Sequence, residues 1–88
     1  MAVSDETILF NKGADEGENT RASLILQVVY GALKEAGHNP TAQLVGYLLS
    51  GELTYITSRH DARKIVSSIE RDELLEELIR YYVKNKGL

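Results

Sequence analysis

The stretch Asn39–Ile56, NPTAQLVGYLLSGELTYI, decides how the chain is read. Asn39 has a side-chain oxygen suited to capping a helix start. Pro40 fits the first helical position because it has no N–H to leave unpaired. Leu44, Val45, Leu48 and Leu49 follow at helical spacing and predict one apolar face. Gly51 then supplies a stop. A helix of about 10 to 11 residues does not persist alone in water. Its neighbours must hold it, so the flanking segments have to be helical partners.

Upstream, Ile25, Val28, Val29, Ala32, Leu33 and Ala36 repeat at spacings of three and four, with Leu24 widening the face. They predict a helix from about Asn19 or Thr20 to Gly37. Gly31 sits inside it at a cost of roughly 1 kcal/mol relative to alanine, which either a close helix crossing or simple tolerance explains. Gly37 to Pro40 form a tight corner. Downstream, Leu53, Tyr55 and Ile56 are too apolar for a free loop. They are expected to fold back on the core, as one helical turn or an extended piece. Ser58 is the expected cap of a third helix, with Asp61 as a partial capping-box partner and Ala62, Ile65, Val66 and Ile69 as its apolar face. A last helix continues or restarts near Asp72, with Leu74, Leu75, Leu78, Ile79, Tyr82 and Val83 as the cleanest amphipathic run in the chain. The expectation is an all-α, compact bundle of four to five short helices over residues 19–88, preceded by a flexible acidic tail over residues 1–18.

The bulk numbers narrow the function. Eighty-eight residues make one domain with a small core, and dimerisation is a natural way to enlarge it. The chain has no cysteine, so disulfides and thiolate sites are excluded. No apolar run approaches the roughly 20 residues of a membrane span. The first residues, acidic from Asp5 on, do not resemble a signal peptide, so a cytoplasmic location is expected. The net charge of −3 disfavours nucleic acid or anionic membrane as the main partner. The charge is also uneven. Asp5, Glu6, Asp15, Glu16 and Glu18 face only Lys12 in the tail, while the remainder is close to neutral.

No catalytic set emerges. His38 and His60 lack zinc-ligand spacing, and neither a metal nor a cofactor is expected. His60 beside Asp61 has the form of a base and its orienter, but no nucleophile can be named for it, so surface exposure is the better reading. Glu70, Asp72, Glu73, Glu76 and Glu77 read as the wet side of the last helix. Arg59, Arg63 and Lys64 stand at a helix start, where an anion or a phosphate-bearing peptide would be welcome. They are the candidate docking residues. With the second helix they superficially suggest a helix-turn-helix, but the joining segment is too long for the usual turn. A nucleic-acid or protein-adaptor module using this patch is therefore the alternative reading. Tyrosine tolerates half-burial, so Leu78, Tyr81 and Tyr82 are candidates for a dimer or partner surface. Ser4 and Thr7, next to Asp5 and Glu6 in the tail, are chemically available to a kinase.

The runs NPTAQLVGYLLSGELTYIT, RHDAR and ERDELLEELIRYYVK, with SDETILF near the start, resemble the IreB family of small regulatory phosphoproteins of low-GC Gram-positive bacteria. The likeness covers about residues 4 to 86. Where relatives often carry prolines in the connector, this chain has Glu52-Leu53-Thr54-Tyr55-Ile56-Thr57. The resemblance implies a helical homodimer without enzymatic activity. It implies a substrate of a membrane Ser/Thr kinase with extracellular cell-wall-binding domains, opposed by a PP2C-type phosphatase and acting on an unnamed downstream protein. The pathway it implies governs cell-envelope stress and cephalosporin resistance. Thr7 matches one phosphoacceptor position of the family. Ser4 aligns with a second, where the family has threonine.

Overall fold

The computed structural model of the chain describes residues 20–88. Ser4, Thr7 and the rest of the expected tail lie outside the described residues. Within them the fold is all-helical, with α1 (Arg21–Glu35), α2 (Pro40–Ser50), α3 (Ala62–Ser67) and α4 (Arg71–Lys86). Two 3₁₀ turns, Leu53–Tyr55 and Arg59–Asp61, connect α2 to α3. Among the described residues no helix is long and apolar enough to cross a membrane.

Helix α1 is the centre, packed against α2, α3 and α4. Thr20 caps it by accepting the Ser23 N–H at 3.1 Å. Ala22, Ile25, Val29, Ala32 and Leu33 line its buried side. Leu24 and Val28, expected in the core, stay about half exposed. The helix ends where the Gly37 N–H reaches Lys34 O and the His38 N–H reaches Leu33 O, with Gly37 at φ +85°. This 6→1 closure needs a left-handed residue, which glycine adopts without penalty.

Helix α2 starts and stops as its sequence predicts. Asn39 accepts the Ala42 N–H, Pro40 is the first helical residue, and Gly51 closes the end at φ +76°. Its inner face differs from the expectation. Tyr47 is buried and Leu44 and Leu48 pack on the core, while Val45 and Leu49 point outward, Leu49 with 82 % of its surface exposed. Gly46 explains part of the shift. A Cβ there would lie 2.5 Å from the Tyr55 ring, so the missing side chain lets that ring lie on the helix. Ile56 then turns fully into the core.

The third helix begins later than its capping pattern suggests. Ser58 makes no side-chain cap, and residues 59–61 form a separate turn with His60 and Asp61 at positive φ. Left-handed backbone costs a non-glycine residue roughly 1 to 2 kcal/mol. Two contacts hold the turn in place: the His60 ring pairs with the Glu35 carboxylate, and Arg59 Nη1 donates to Glu35 O at 3.3 Å. Helix α3 starts only at Ala62, and Ala62, Val66 and Ile69 enter the core as expected.

Candidate functional site

Helix α4 carries the most distinctive surface. Leu75, Leu78, Ile79 and Tyr82 recur at spacings of three and four and therefore share one face. All four are exposed, Ile79 by 64 %. Tyr81 is exposed on a different face, and Lys86 lies over the Tyr82 ring at 5.9 Å from its centroid. Four of the six residues of the best apolar stripe in the sequence thus face away from the body, while Leu74 is buried and Val83 half-buried. The helix meets the body through the adjacent face instead, where its buried residues are Leu74 and Glu77.

Glu77 corrects the sequence reading. It was expected on the wet side, yet it is only 4 % exposed. Water would stabilise an exposed carboxylate; a buried one needs partners or costs several kcal/mol. Glu77 has two. Thr20 Oγ1 donates to Oε1 at 2.9 Å, and Arg80 Nη1 donates to the same oxygen at 3.0 Å. Arg80 thus pairs with the carboxylate three residues before it on the same helix. The Thr20 hydroxyl also caps α1, so one side chain joins the start of the first helix to the middle of the last.

The predicted basic group is differently placed. Arg63 Nε donates to Ile56 O at 2.7 Å, and Arg59 reaches Glu35 O. Lys64 is exposed on the six-residue α3. The same use of arginine recurs elsewhere. Arg71 donates to Leu48 O at 3.2 Å and Arg21 to Ser68 O at 2.8 Å. Helix ends and turns leave carbonyls without intrahelical partners, and these guanidinium groups supply them. The sequence carries no signal for this: an arginine at the first or second position of a helix or turn says nothing about a carbonyl elsewhere in the chain.

Other candidate chemistry disperses. His38 is exposed at the α1–α2 corner, and His60 faces Glu35 rather than acting with Asp61. Among the described residues no group of three or more His, Cys, Asp or Glu side chains is placed to hold a metal ion. A hollow of about 480 Å³ lies along α1, lined by Leu26, Gln27, Tyr30, Gly31 and Lys34. A Cβ on Gly31 would meet nothing within 4 Å, so no close helix crossing accounts for that glycine among the described residues. Ser4 and Thr7 lie outside the described residues, so their geometry adds nothing to their candidacy.

Residues 5–84 match the sequence model of the IreB regulatory phosphoproteins, a span that includes Thr7 and every helix of the body up to the last turn of α4. The match covers nearly the whole chain, and the chain belongs to the IreB regulatory phosphoprotein family.

Proposed function

We propose that this chain is a non-catalytic regulatory phosphoprotein whose modified segment is the acidic tail over residues 1–18 and whose helical body is a self-associating platform. Membership of a regulatory phosphoprotein family is the observation that carries the reading. Thr7 is the primary phosphoacceptor, and Ser4, one residue ahead of the matched span, is the secondary one. The modifying enzyme is a membrane Ser/Thr kinase with extracellular cell-wall-binding domains. A PP2C-type phosphatase reverses the mark. The protein acts in the cytoplasm, in signalling of cell-envelope stress and cephalosporin resistance, and relays the state of its tail to a downstream protein. Phosphate adds roughly −1.5 to −2 charges to a segment already rich in carboxylates. That is a large local change, and the body need not rearrange to display it.

The proposed dimer uses α4. Leu75, Leu78, Ile79 and Tyr82 form an exposed apolar stripe on a helix that has little other reason to be amphipathic on that side. A two-fold interface places the same patch on both copies, and a helix stripe packs readily on itself.

The test is phosphorylation of the full chain by the cognate kinase, comparing wild type with Thr7→Ala. The expected result is phosphate within residues 1–10 of the wild type and its loss from position 7 in the variant. Equal total incorporation in the variant, with no label in residues 1–10, contradicts the assignment.

A further inference from the structure

Helix α4 is sixteen residues long, and its two buried side chains, Leu74 and Glu77, both lie in its first half. From Leu78 to Lys86 every side chain is at least partly exposed. The buried anchors of the helix are thus confined to its first half. Leu74 gives a non-directional apolar contact, which allows a helix to roll about its contact line. Two hydrogen bonds tie that half to the body with a fixed direction: Arg71 Nη1 to Leu48 O at 3.2 Å, from an exposed side chain at the first residue, and Thr20 Oγ1 to Glu77 at 2.9 Å, on the nearly buried carboxylate that adjoins the outer half. Thr20 Oγ1 has one proton to give, and it gives it to Glu77, while the same oxygen accepts the Ser23 N–H that starts α1.

We propose that the Thr20–Glu77 pair is a joint, through which the state of the chain at residue 20 sets the orientation of the outer half of α4 and of its stripe Leu75, Leu78, Ile79 and Tyr82. Residue 20 is where the chain passes from residues 1–19 into α1, so a pull or a charge delivered there acts on the joint before any other contact described in the body. Arg80, held by the same carboxylate oxygen, follows Glu77. Glu77 is a positioning residue here, acting on the stripe through the helix. The effect on assembly rests on the proposed dimer; the joint itself does not.

The full-length chain tests this through amide hydrogen exchange at Leu74–Tyr82 and sedimentation equilibrium. Thr20→Ser keeps both donor and cap, and leaves both readouts at wild type. Thr20→Asp keeps the cap, because aspartate is a strong N-cap, but removes the donor and sets a second carboxylate against Glu77. Exchange in α4 then rises about tenfold and self-association weakens by a similar factor. Combining Thr20→Asp with Glu77→Gln restores both, since the new amide N–H donates to the new carboxylate. Mere loss of a cap cannot produce that rescue. The joint is overturned if Thr20→Asp leaves α4 exchange unchanged, or if the double variant is no better than the single. Exchange that responds and is rescued in a chain that sediments as a monomer throughout supports the joint and removes the dimer.

Discussion

Gly46 and Gly31 both sit inside helices, and their surroundings give them opposite standing. The Tyr55 ring occupies the space where a Gly46 side chain would begin, whereas Gly31 faces open space. Gly46→Ala is expected to destabilise the chain by about 1 to 3 kcal/mol through overpacking. Gly31→Ala is expected to stabilise it by about 0.5 to 1 kcal/mol through helix propensity. Urea denaturation of both variants checks the signs. Arg63 and Lys64 make a second contrasting pair. Removing the guanidinium that satisfies Ile56 O costs about 1 to 2 kcal/mol in Arg63→Ala, while Lys64→Ala stays within about 0.5 kcal/mol. Equal effects in the two variants would show that the Arg63 contact does not support the connector. At this scale the sequence was legible where chemistry is local. The Asn39 cap, Pro40 and the two glycine stops need only their neighbours in the chain, and each appears as expected. Thr20–Glu77 spans 57 positions and Arg59–Glu35 spans 24, and no local pattern announces either.

Among the elements, periodicity located the helices but did not assign their faces. A stripe at helical spacing states that a helix has an apolar side, not which surface that side meets. For α1 and α3 the stripe faces the core with some slippage, leaving Leu24 and Val28 outside. For α2 the inner face is offset because Tyr47 offers more apolar area than Val45 and Gly46 admits the Tyr55 ring. For α4 most of the stripe faces out, and Leu74 and a carboxylate take the inner positions. Under the proposed dimer this is the same rule applied to a second copy. Ile79→Glu places a charge on an exposed position of that stripe, so monomer stability changes by no more than about 0.5 kcal/mol. Self-association is expected to weaken at least about tenfold, from loss of apolar burial and like-charge repulsion across the two-fold. Sedimentation velocity over a concentration series measures it. An unchanged association constant would move the interface off α4.

For the molecule as a whole, an 88-residue chain builds its small core around α1 and uses four of its five arginines on helix ends and turns. That economy leaves the Leu75, Leu78, Ile79 and Tyr82 stripe of α4 exposed. Fold class was readable because helix signals are short-range. For the candidate site, exposure was legible from the sequence and the partners of the arginines were not. Leu78, Tyr81 and Tyr82 are exposed as a partner surface requires, and Arg59 and Arg63 are used internally. Nothing in periodicity or composition distinguishes a regulatory phosphoprotein from any other small helical domain; the family match makes that distinction. In the proposed function the signal is carried on Thr7. Peptide mapping of the protein purified from its native cells before and after cephalosporin exposure tests it most directly. Phosphate on Thr7, with occupancy that changes on exposure, is the expected result. Phosphate confined to residues 20–88, or absent under both conditions, contradicts it.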